Sequence, residues 1–306
     1  MTFLVVGESL VDLIGTPGSW TFTAVPGGSP LNVAVALAAL GRTVRFAGET
    51  GDDFFGGLLR DHLTRHGIGT GDLAPAAATG LAFARVGADG SASYDFRFDW
   101  TFSAPVALDG VTCLHTGSLA VLAGPGAAHV REVMRAAAEA GITVSYDPNI
   151  RPSLVGDRVR ALAHVEECVR LARLVKVSAE DLDWLYPGEP YIEVARRWAR
   201  AHERLVVVTR GGDGATAVLG DEVISCPAPA VEVVDTVGAG DTFTAACLDA
   251  LDGAPLSTER VAEALRRGCA AAAIVCTRAG AVPPTREEVK IFFPGTGASR
   301  AEEGPE

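Results

Sequence analysis

Residues Asp235–Asp241 read Asp-Thr-Val-Gly-Ala-Gly-Asp, and this heptapeptide stands between two different patterns. The valine-rich run Val231–Val234 before it predicts a strand, and an apolar-periodic helix is predicted to begin near Thr242. Small residues at such a junction let backbone N–H groups face an anion, and the helix dipole adds its positive end. The stretch therefore predicts an anion-binding turn between a strand and a helix.

Asp241 follows this turn directly. A carboxylate at that place can take a proton from a hydroxyl while Gly238, Ala239 and Gly240 hold a transferring phosphoryl group with their backbone amides. The alternative is a glycine-rich turn in which Asp241 only caps the helix, and for a lone turn of this kind the capping role is the more common one. A second motif with matching chemistry is needed to decide between them.

The segment Gly27-Gly28-Ser29-Pro30-Leu31-Asn32 is that second motif. It precedes a helix predicted over Asn32–Leu40. Its paired glycines let a polyol approach the backbone, and the Asn32 amide can both donate and accept hydrogen bonds. Alone, it is a turn followed by a helix start, but it fits the same chemistry as the heptapeptide.

Together the two motifs resemble the signature motifs of the ribokinase-like (PfkB-type) carbohydrate kinases. The similarity covers most of the chain, from about Val5 to Pro284, and the two patterns are long, independently spaced and in the family's order. Cys247 stands where the family prefers an aliphatic residue. The remaining positions that match the family's spacing are Ala34, Gly41, Gly51, Thr242, Ala245 and Ala246.

The resemblance implies an α/β protein with a ribokinase-like fold, in which a doubly wound, mostly parallel sheet is flanked by helices and carries a small β lid. Short β-rich runs alternate with helical patterns along much of the chain, as βαβ units require. Two stretches, at about residues 11–25 and 81–100, break the alternation and predict the lid. We expect one kinase domain over residues 1–293 and a disordered tail over residues 294–306.

The resemblance also implies an ATP-dependent sugar kinase that transfers the γ-phosphate to a hydroxyl of a small carbohydrate. In this interpretation Asp241 is the catalytic base, and Gly238, Ala239 and Gly240 form the anion hole. Without the family, Asp12 would be interpreted as a solvated residue of a lid strand. The sugar contacts implied by the lid and the first motif are Asp12, Gly27, Gly28 and Asn32.

The run Asp147-Pro148-Asn149-Ile150-Arg151 follows a predicted strand, at the edge where an open α/β sheet binds its ligand. It is more similar to fructokinases and 2-keto-3-deoxygluconate kinases than to ribokinases or adenosine kinases. We therefore expect fructose as the sugar, with 2-keto-3-deoxygluconate, ribose and nucleosides as alternatives. Asn149 and Arg151 are the expected contacts. Arg151 can hold a carboxylate, a phosphate or a sugar oxygen, or pair with a neighbouring acid. The lid adds Arg97 as a further candidate.

Two more segments match the family's nucleotide and metal positions. The loop after the predicted strand Leu205–Val208 matches the nucleotide loop, although alone it is a common strand-end turn. Ser178-x-x-Asp181 stands where the family usually carries Asn-x-x-Glu, so Asp181 is expected to position Mg²⁺ indirectly or else to be a helix-dipole partner. The expected ATP contacts are Ser178, Thr209, Gly211, Gly212, Gly214 and Gly240.

Asp235 matches a position that binds a monovalent cation beside the anion hole in many relatives, together with carbonyl groups from a loop such as Cys276–Pro283. The resemblance thus implies activation by K⁺. The alternative, equally weighted, is a strand-end aspartate that braces the turn.

Composition limits the partners of the protein. Its formal net charge of −12 gives no electrostatic footprint for nucleic acid or an anionic membrane surface. No apolar run is long enough to span a bilayer. The six cysteines are scattered without metal-ligand spacing and predict reduced thiols in a cytoplasmic protein. The partners that we expect are the sugar, ATP and a second copy of the chain bound through the lid.

Two other classes of protein are compatible with a glycine-rich α/β chain. A dinucleotide-binding oxidoreductase needs Gly-x-Gly-x-x-Gly after its first strand, but the sequence there is Gly7-Glu8-Ser9-Leu10. A catalytically silent sugar- or nucleotide-binding relative would have the same fold. Asp241 argues against the second class, because a silent relative has no need for a base beside an anion hole.

Overall fold

The computed structural model describes residues 1–15, 20–86, 92–200 and 204–292. The tail predicted over residues 294–306 lies outside these ranges. The strands are β1 (Thr2–Val6), β2 (Leu10–Gly15), β3 (Phe22–Gly27), β4 (Thr43–Gly51), β5 (Leu73–Ala76), β6 (Gly80–Val86), β7 (Ala92–Arg97), β8 (Val111–Gly117), β9 (Thr143–Asp147), β10 (Leu174–Ser178), β11 (Leu205–Thr209), β12 (Ala215–Leu219) and β13 (Glu222–Cys226).

The helices of the described residues alternate with these strands. A short 3₁₀ helix follows β11 at Gly211–Asp213. The α-helices are α1 (Ser29–Ala39), α2 (Phe54–Arg65), α3 (Leu119–Leu122), α4 (Gly126–Glu139), α5 (Pro152–Val155), α6 (Arg158–Leu171), α7 (Ala179–Leu185), α8 (Tyr191–Ala199), α9 (Ala239–Leu251), α10 (Thr258–Cys276) and α11 (Arg286–Phe292).

The larger sheet has nine strands in the order β13-β12-β11-β10-β9-β8-β1-β4-β5. Neighbouring strands are parallel from β5 across to β11, and β12 and β13 add an antiparallel edge. The chain starts at β1 and builds outward in both directions, so the strand order reverses between β1 and β8. In open α/β sheets, the carboxyl ends of the strands at such a reversal are where ligands bind.

Apolar side chains cover both faces of this sheet. On β1, Phe3 and Val5 pack into one buried cluster with α1, α9 and α10, whereas Leu4 and Val6 pack into another with α4, α6 and α8. Successive side chains of a strand point to opposite faces, so a strand between two helical layers is apolar at most of its positions. The continuous apolar strands of the sequence follow from this arrangement, and the predicted fold class is confirmed.

The two stretches that break the βα alternation form a separate four-stranded sheet in the order β3-β2-β6-β7. Strand β2 pairs with β3 in the antiparallel sense and with β6 in the parallel sense. We call this sheet the lid. The predicted lid stretch 81–100 is too long, because β7 ends at Arg97 and Trp100 is buried in the main core, stacked against Phe98 and Phe102.

Three local predictions need correction. Val231–Val234 is not a strand; Val233 and Val234 are exposed, and the Val234 amide donates to the Cys276 carbonyl oxygen at the end of α10. Helix α9 begins at Ala239 rather than near Thr242, and α1 begins at Ser29 rather than at Asn32. Asp241 and Asn32 therefore lie inside the first turns of their helices.

Candidate active site

A cavity of about 370 Å³ lies between the lid and the carboxyl ends of the central strands. Its wall includes Glu8 and Ser118, which lie just after β1 and β8, and Lys176 of β10. The lid contributes side chains from β2, β3, β6 and β7. The cavity thus sits at the strand-order reversal. The predicted site residues that line it are Asp12, Gly28, Asn32, Asn149, Arg151, Asp235, Gly238, Gly240 and Asp241.

Two side chains of helix α1 bind the carboxylate of Asp241. The residue is 7% exposed and lies in the first turn of α9. The Ser29 hydroxyl donates to Oδ1 at 2.6 Å, and the Asn32 side-chain amide donates to Oδ2 at 2.8 Å. The two predicted motifs therefore meet at one carboxylate, whose oxygens each accept a bond from a different side chain. Ser29 was not among the predicted site residues, because a serine at a helix start is common on its own.

The turn before Asp241 has the conformation that its glycines allow. Gly238 is the N-cap residue with a φ of 77°, and a Cβ added there would lie 2.6 Å from the Ala281 Cβ. Amides in the first turn of a helix have no partner within the helix and are available to an anion. The amide of Ala239 differs, because it donates to the Thr236 carbonyl oxygen at 3.2 Å.

Lys176 is a buried cation in this wall that the sequence analysis missed. It lies on β10 with 5% of its surface exposed, and its Nζ is 2.9 Å from the Asp147 Oδ2. Burial opposes its charge, but the carboxylates of Asp147, Asp181 and Asp241 together outweigh this effect and raise the pKa of Lys176. A Cβ added at Gly240 would lie 3.0 Å from Nζ, so the ammonium sits against the first turn of α9. The available signal was a lysine inside an apolar buried strand.

Asp147 is the partner of Lys176, and burial raises its pKa to about 6 although the lysine acts in the opposite direction. Its Oδ1 is buried and has no hydrogen-bond partner among the described residues. A carboxylate oxygen in this state retains its capacity to accept a hydrogen bond or to bind a cation.

The opposite end of the cavity is formed by the lid and the turn before α1. Burial raises the pKa of Asp12 to about 6, and the Arg151 charge lowers it in part. A Cβ at Gly27 would overlap the Asp12 carboxylate, and one at Gly28 would lie 2.6 Å from the Glu8 carbonyl oxygen. Gly28 also has a φ of 104°. These glycines let the lid aspartate and the helix start approach closely.

Glu8 is a second residue that the sequence analysis missed. It is 1% exposed, lines the cavity, and its Oε2 accepts a hydrogen bond from the Ala120 amide at 3.0 Å. Burial raises the pKa of Glu8 to about 7, although Ser118 and Ala120 act in the opposite direction. Ser118 has the rare φ of 52°. The only signal in the sequence was a glutamate next to the apolar first strand.

The two predicted arginine contacts differ in position. Arg151 lines the cavity, and its Nη1 donates to the Asn149 side-chain oxygen at 2.7 Å. Asn149 lines the cavity as well and has a φ of 37°. Arg97 instead pairs with Asp95 at 2.8 Å, its side chain is 66% exposed, and it does not line the cavity.

The predicted nucleotide loop lies at the carboxyl end of β11, two strands away from β9, and outside the cavity wall. Its backbone turns sharply at Gly211 and Gly214, which have φ values of 52° and 90°. A Cβ at Gly214 would overlap the Cys226 carbonyl oxygen. Thr209 ends β11, and Gly212 lies in the following 3₁₀ helix.

Ser178 and Asp181 form a capping box at the start of α7. The other carboxylate oxygen of Asp181 accepts a hydrogen bond from the Ile150 amide at 2.9 Å, and Asp181 does not line the cavity. This geometry favours an indirect role of Asp181 toward a metal ion over direct ligation. The described residues contain no cluster of three or more histidine, cysteine, aspartate or glutamate side chains that could hold a metal ion.

Asp235 joins two loops of the cavity wall. Its Oδ1 accepts from the Val237 amide at 3.0 Å, and its Oδ2 accepts from the Gly280 amide at 2.9 Å. The aspartate therefore braces the turn, although it does not lie at the end of a strand. Gly280 lines the cavity as well, so the geometry is also compatible with a cation site at this place.

The chain is similar to known carbohydrate kinases over nearly its whole length. The pfkB family carbohydrate kinase profile matches residues 2–288. Fructokinase-1 of Oryza sativa subsp. japonica is 34% identical over 311 residues, which are 94% of this chain and 95% of the relative. The solved structure of a fructokinase from Xylella fastidiosa with bound ATP has a TM-score of 0.84 and 28% identity, and the match covers 96% of this chain and 98% of that one.

A double-mutant fructokinase from Vibrio cholerae O395, solved with fructose, ADP and a potassium ion, is similar to the same extent. The two chains are 28% identical with a TM-score of 0.82, and the match covers 95% of this chain and 97% of that one. Both comparisons extend over the main sheet and the lid, since they leave only a few per cent of either chain unmatched.

Proposed function

Because this chain belongs to the pfkB family of carbohydrate kinases, we propose that it phosphorylates a hydroxyl of fructose with ATP as the donor. It is an ATP-dependent sugar kinase, and Asp241 is the residue on which the proposal depends. The observation that carries it is the position of this buried carboxylate, which lies on one cavity wall together with the first turn of α9 and the Lys176 ammonium.

The mechanism follows from these positions. Fructose lies at the lid end, where Asp12 and Asn32 contact its hydroxyl groups. Asp241 takes the proton of the attacking hydroxyl as the bond from its oxygen to the γ-phosphorus forms and the bond from that phosphorus to the β–γ bridging oxygen of ATP breaks. Amides of the α9 turn and the ammonium of Lys176 stabilise the negative charge of the transferring phosphoryl group. ADP leaves with the electron pair of the broken bond.

The charges of the sugar end favour a neutral sugar. Glu8 and Asp12 are two carboxyl groups in this wall, and the Arg151 guanidinium is shared with the Asn149 side chain. A sugar acid would bring a negative charge beside Asp12, which costs free energy at low dielectric, and the charge of Arg151 already acts on Glu8 and Asp12. This favours fructose over 2-keto-3-deoxygluconate, for which Arg151 would have to bind the substrate carboxylate.

ATP is the substrate together with Mg²⁺. The buried Asp147 Oδ1, which has no hydrogen-bond partner among the described residues, would accept a hydrogen bond from a water molecule of the Mg²⁺ shell, and Asp181 would act only indirectly. The β11 loop, with Thr209, Gly211, Gly212 and Gly214, and also Ser178, would contact the nucleotide. Asp235 together with the loop around Gly280 would hold K⁺ beside the α9 turn.

Three further proposals concern the whole molecule. We place residues 1–293 in one kinase domain. Trp20, next to the lid, is 98% exposed, and Phe22 of the lid strand β3 is half-exposed, which favours a homodimer through this surface. No helix in the described ranges is long and apolar enough to cross a membrane. All six cysteines are free thiols, which suits a reducing compartment such as the cytoplasm.

A coupled ADP-release assay across a sugar panel tests the function. The panel contains fructose, 2-keto-3-deoxygluconate, ribose and adenosine, and an Asp241→Asn preparation made in parallel controls for contaminating kinases. We expect fructose to give the highest kcat/KM and the control to be nearly inactive. A higher kcat/KM for another member of the panel would refute fructose while leaving the kinase activity intact. No sugar-dependent ADP release would refute the kinase assignment itself.

A further inference from the structure

We propose that Ser29 is a positioning residue for the catalytic base, and this rests on the role proposed above for Asp241. Its hydroxyl donates to the Asp241 Oδ1 at 2.6 Å, which is short, as expected for a hydrogen bond to an ionised carboxylate. Ser29 is buried and lines the same cavity. The inference is that this bond fixes the rotation of the carboxylate, so that an oxygen faces the attacking hydroxyl.

The two donors to Asp241 come from one turn of α1. Ser29 and Asn32 are three residues apart, so their side chains lie on the same face of that helix. Ser29 binds Oδ1 and Asn32 binds Oδ2, and each carboxylate oxygen keeps one lone pair for another donor. A carboxylate held at both oxygens cannot rotate freely about its terminal bond, which is otherwise a soft torsion.

Close packing on both sides of Ser29 fixes its backbone. Before it, Gly28 has a φ of 104°, and a Cβ there would lie 2.6 Å from the Glu8 carbonyl oxygen. After it, the Pro30 ring packs so tightly on Gly7 that a Cβ at Gly7 would overlap the ring. The hydroxyl is therefore presented by a segment with no room to shift, as a preorganised site requires.

Ser29 does not transfer a proton in this scheme. The proton moves from the sugar hydroxyl to the carboxylate of Asp241, and Ser29 keeps its own proton throughout. Its effect is on the geometry of the base, and a misplaced base slows the chemical step without weakening ground-state binding of ATP. We therefore expect loss of the Ser29 hydroxyl to lower kcat without changing KM for ATP. This fall in kcat should occur only when Asp241 is present.

A double-mutant cycle of Ser29→Ala and Asp241→Asn tests this dependence. Ser29→Ala should lower kcat roughly 10-fold, the scale of a lost hydrogen bond to a charged group, and should leave KM for ATP within about 2-fold. In the Asp241→Asn background the same change should alter kcat by less than about 2-fold, since no base remains to be positioned. Ser29→Thr keeps the hydroxyl and should recover most of the loss.

Ser145→Ala is the matched control, because Ser145 is also buried, binds one side chain (His115 at 3.0 Å) and does not line the cavity. It should leave kcat unchanged. The positioning role would be overturned if the effects of Ser29→Ala and Asp241→Asn on the free energy of activation were additive. It would also be overturned if Ser29→Ala had the same kcat as the control. The kinase proposal would stand in both cases. If Asp241→Asn alone left kcat near normal, the base assignment would fail, and the role of Ser29 with it.

Discussion

Replacing Glu8 by glutamine changes how the stability of the protein depends on pH. Burial raises the pKa of Glu8 from 4.5 to about 7 in the folded protein. The folded state therefore keeps this proton to a higher pH than the unfolded chain, and the free energy of unfolding falls as pH rises from about 4.5 through 7. Glutamine has the same shape, can accept the Ala120 amide hydrogen bond, and carries no charge at any pH.

The magnitude follows from the span between the two pKa values. A pKa difference of one unit corresponds to about 1.4 kcal/mol, and between pH 5 and pH 8 the wild type should lose about 2 to 3 kcal/mol relative to Glu8→Gln. Urea unfolding of both proteins at the two pH values measures this difference in the free energy of unfolding. The contributions of the other titrating groups cancel, because both proteins contain them. Glu132→Gln, at an exposed position of α4, is the control and should show no such change.

The result that refutes this reasoning is a stability difference between wild type and Glu8→Gln that is the same at pH 5 and at pH 8. It would mean that Glu8 has the same pKa in the folded and unfolded states. The cavity end between β1 and the lid would then be more hydrated than its geometry indicates.

Two further predictions concern the phosphate end of the cavity. Lys176→Met leaves Asp147 buried without its cation, so we expect a stability loss of about 3 kcal/mol in urea unfolding, and a kcat roughly 10-fold lower in the folded fraction. An unchanged kcat would remove Lys176 from the mechanism. Excess chelator should abolish activity, and activity that persists in chelator would contradict the requirement for Mg²⁺. K⁺ should raise kcat above its value in Na⁺ or a bulky organic cation, and equal rates in the three cations would contradict activation by K⁺.

The meeting of the two motifs at one cavity was predictable from the sequence. Both Gly27–Asn32 and Asp235–Asp241 are long patterns in which glycines mark a turn and a polar residue follows at a helix start. Both motifs resemble the signatures of one kinase family, and this resemblance implied a shared site. Strand order did not imply it, because Gly27–Asn32 lies at the end of the lid strand β3 and Asp235–Asp241 follows a segment that is not a strand. The fold class was predictable as well, because apolar strands alternate with amphipathic helices along the chain.

Arg97 shows what a local pattern could not decide. It lies on β7, where successive side chains point to opposite faces. Phe96 lines the cavity, and Arg97 is therefore directed away from it, toward Asp95 and solvent. The composition of the segment predicted a lid strand, but only its register determines which face meets the sugar.

Glu8 and Lys176 were missed because each is a single polar residue without a local motif. Ser29 was missed because its place inside the Gly27–Asn32 motif identified it only as part of a turn. Their roles depend on partners far along the chain: Ser29 binds Asp241, and Lys176 binds Asp147. The strand predicted over Val231–Val234 is wrong although its local pattern is clear. A β-rich composition forms a strand only where a neighbouring strand is available to pair with it.

The central claim, that Asp241 is the catalytic base, is tested most directly by kcat of Asp241→Asn. Asparagine has the same size and can still bind Ser29 and Asn32, but it cannot take the proton. Asp61→Asn, at an exposed position of α2, is the control. We predict that kcat with fructose falls roughly 10² to 10⁴-fold, with unchanged thermal unfolding and ATP affinity. A folded Asp241→Asn protein with near-normal kcat would contradict the claim and move the search for the base to Asp12 or Asp147.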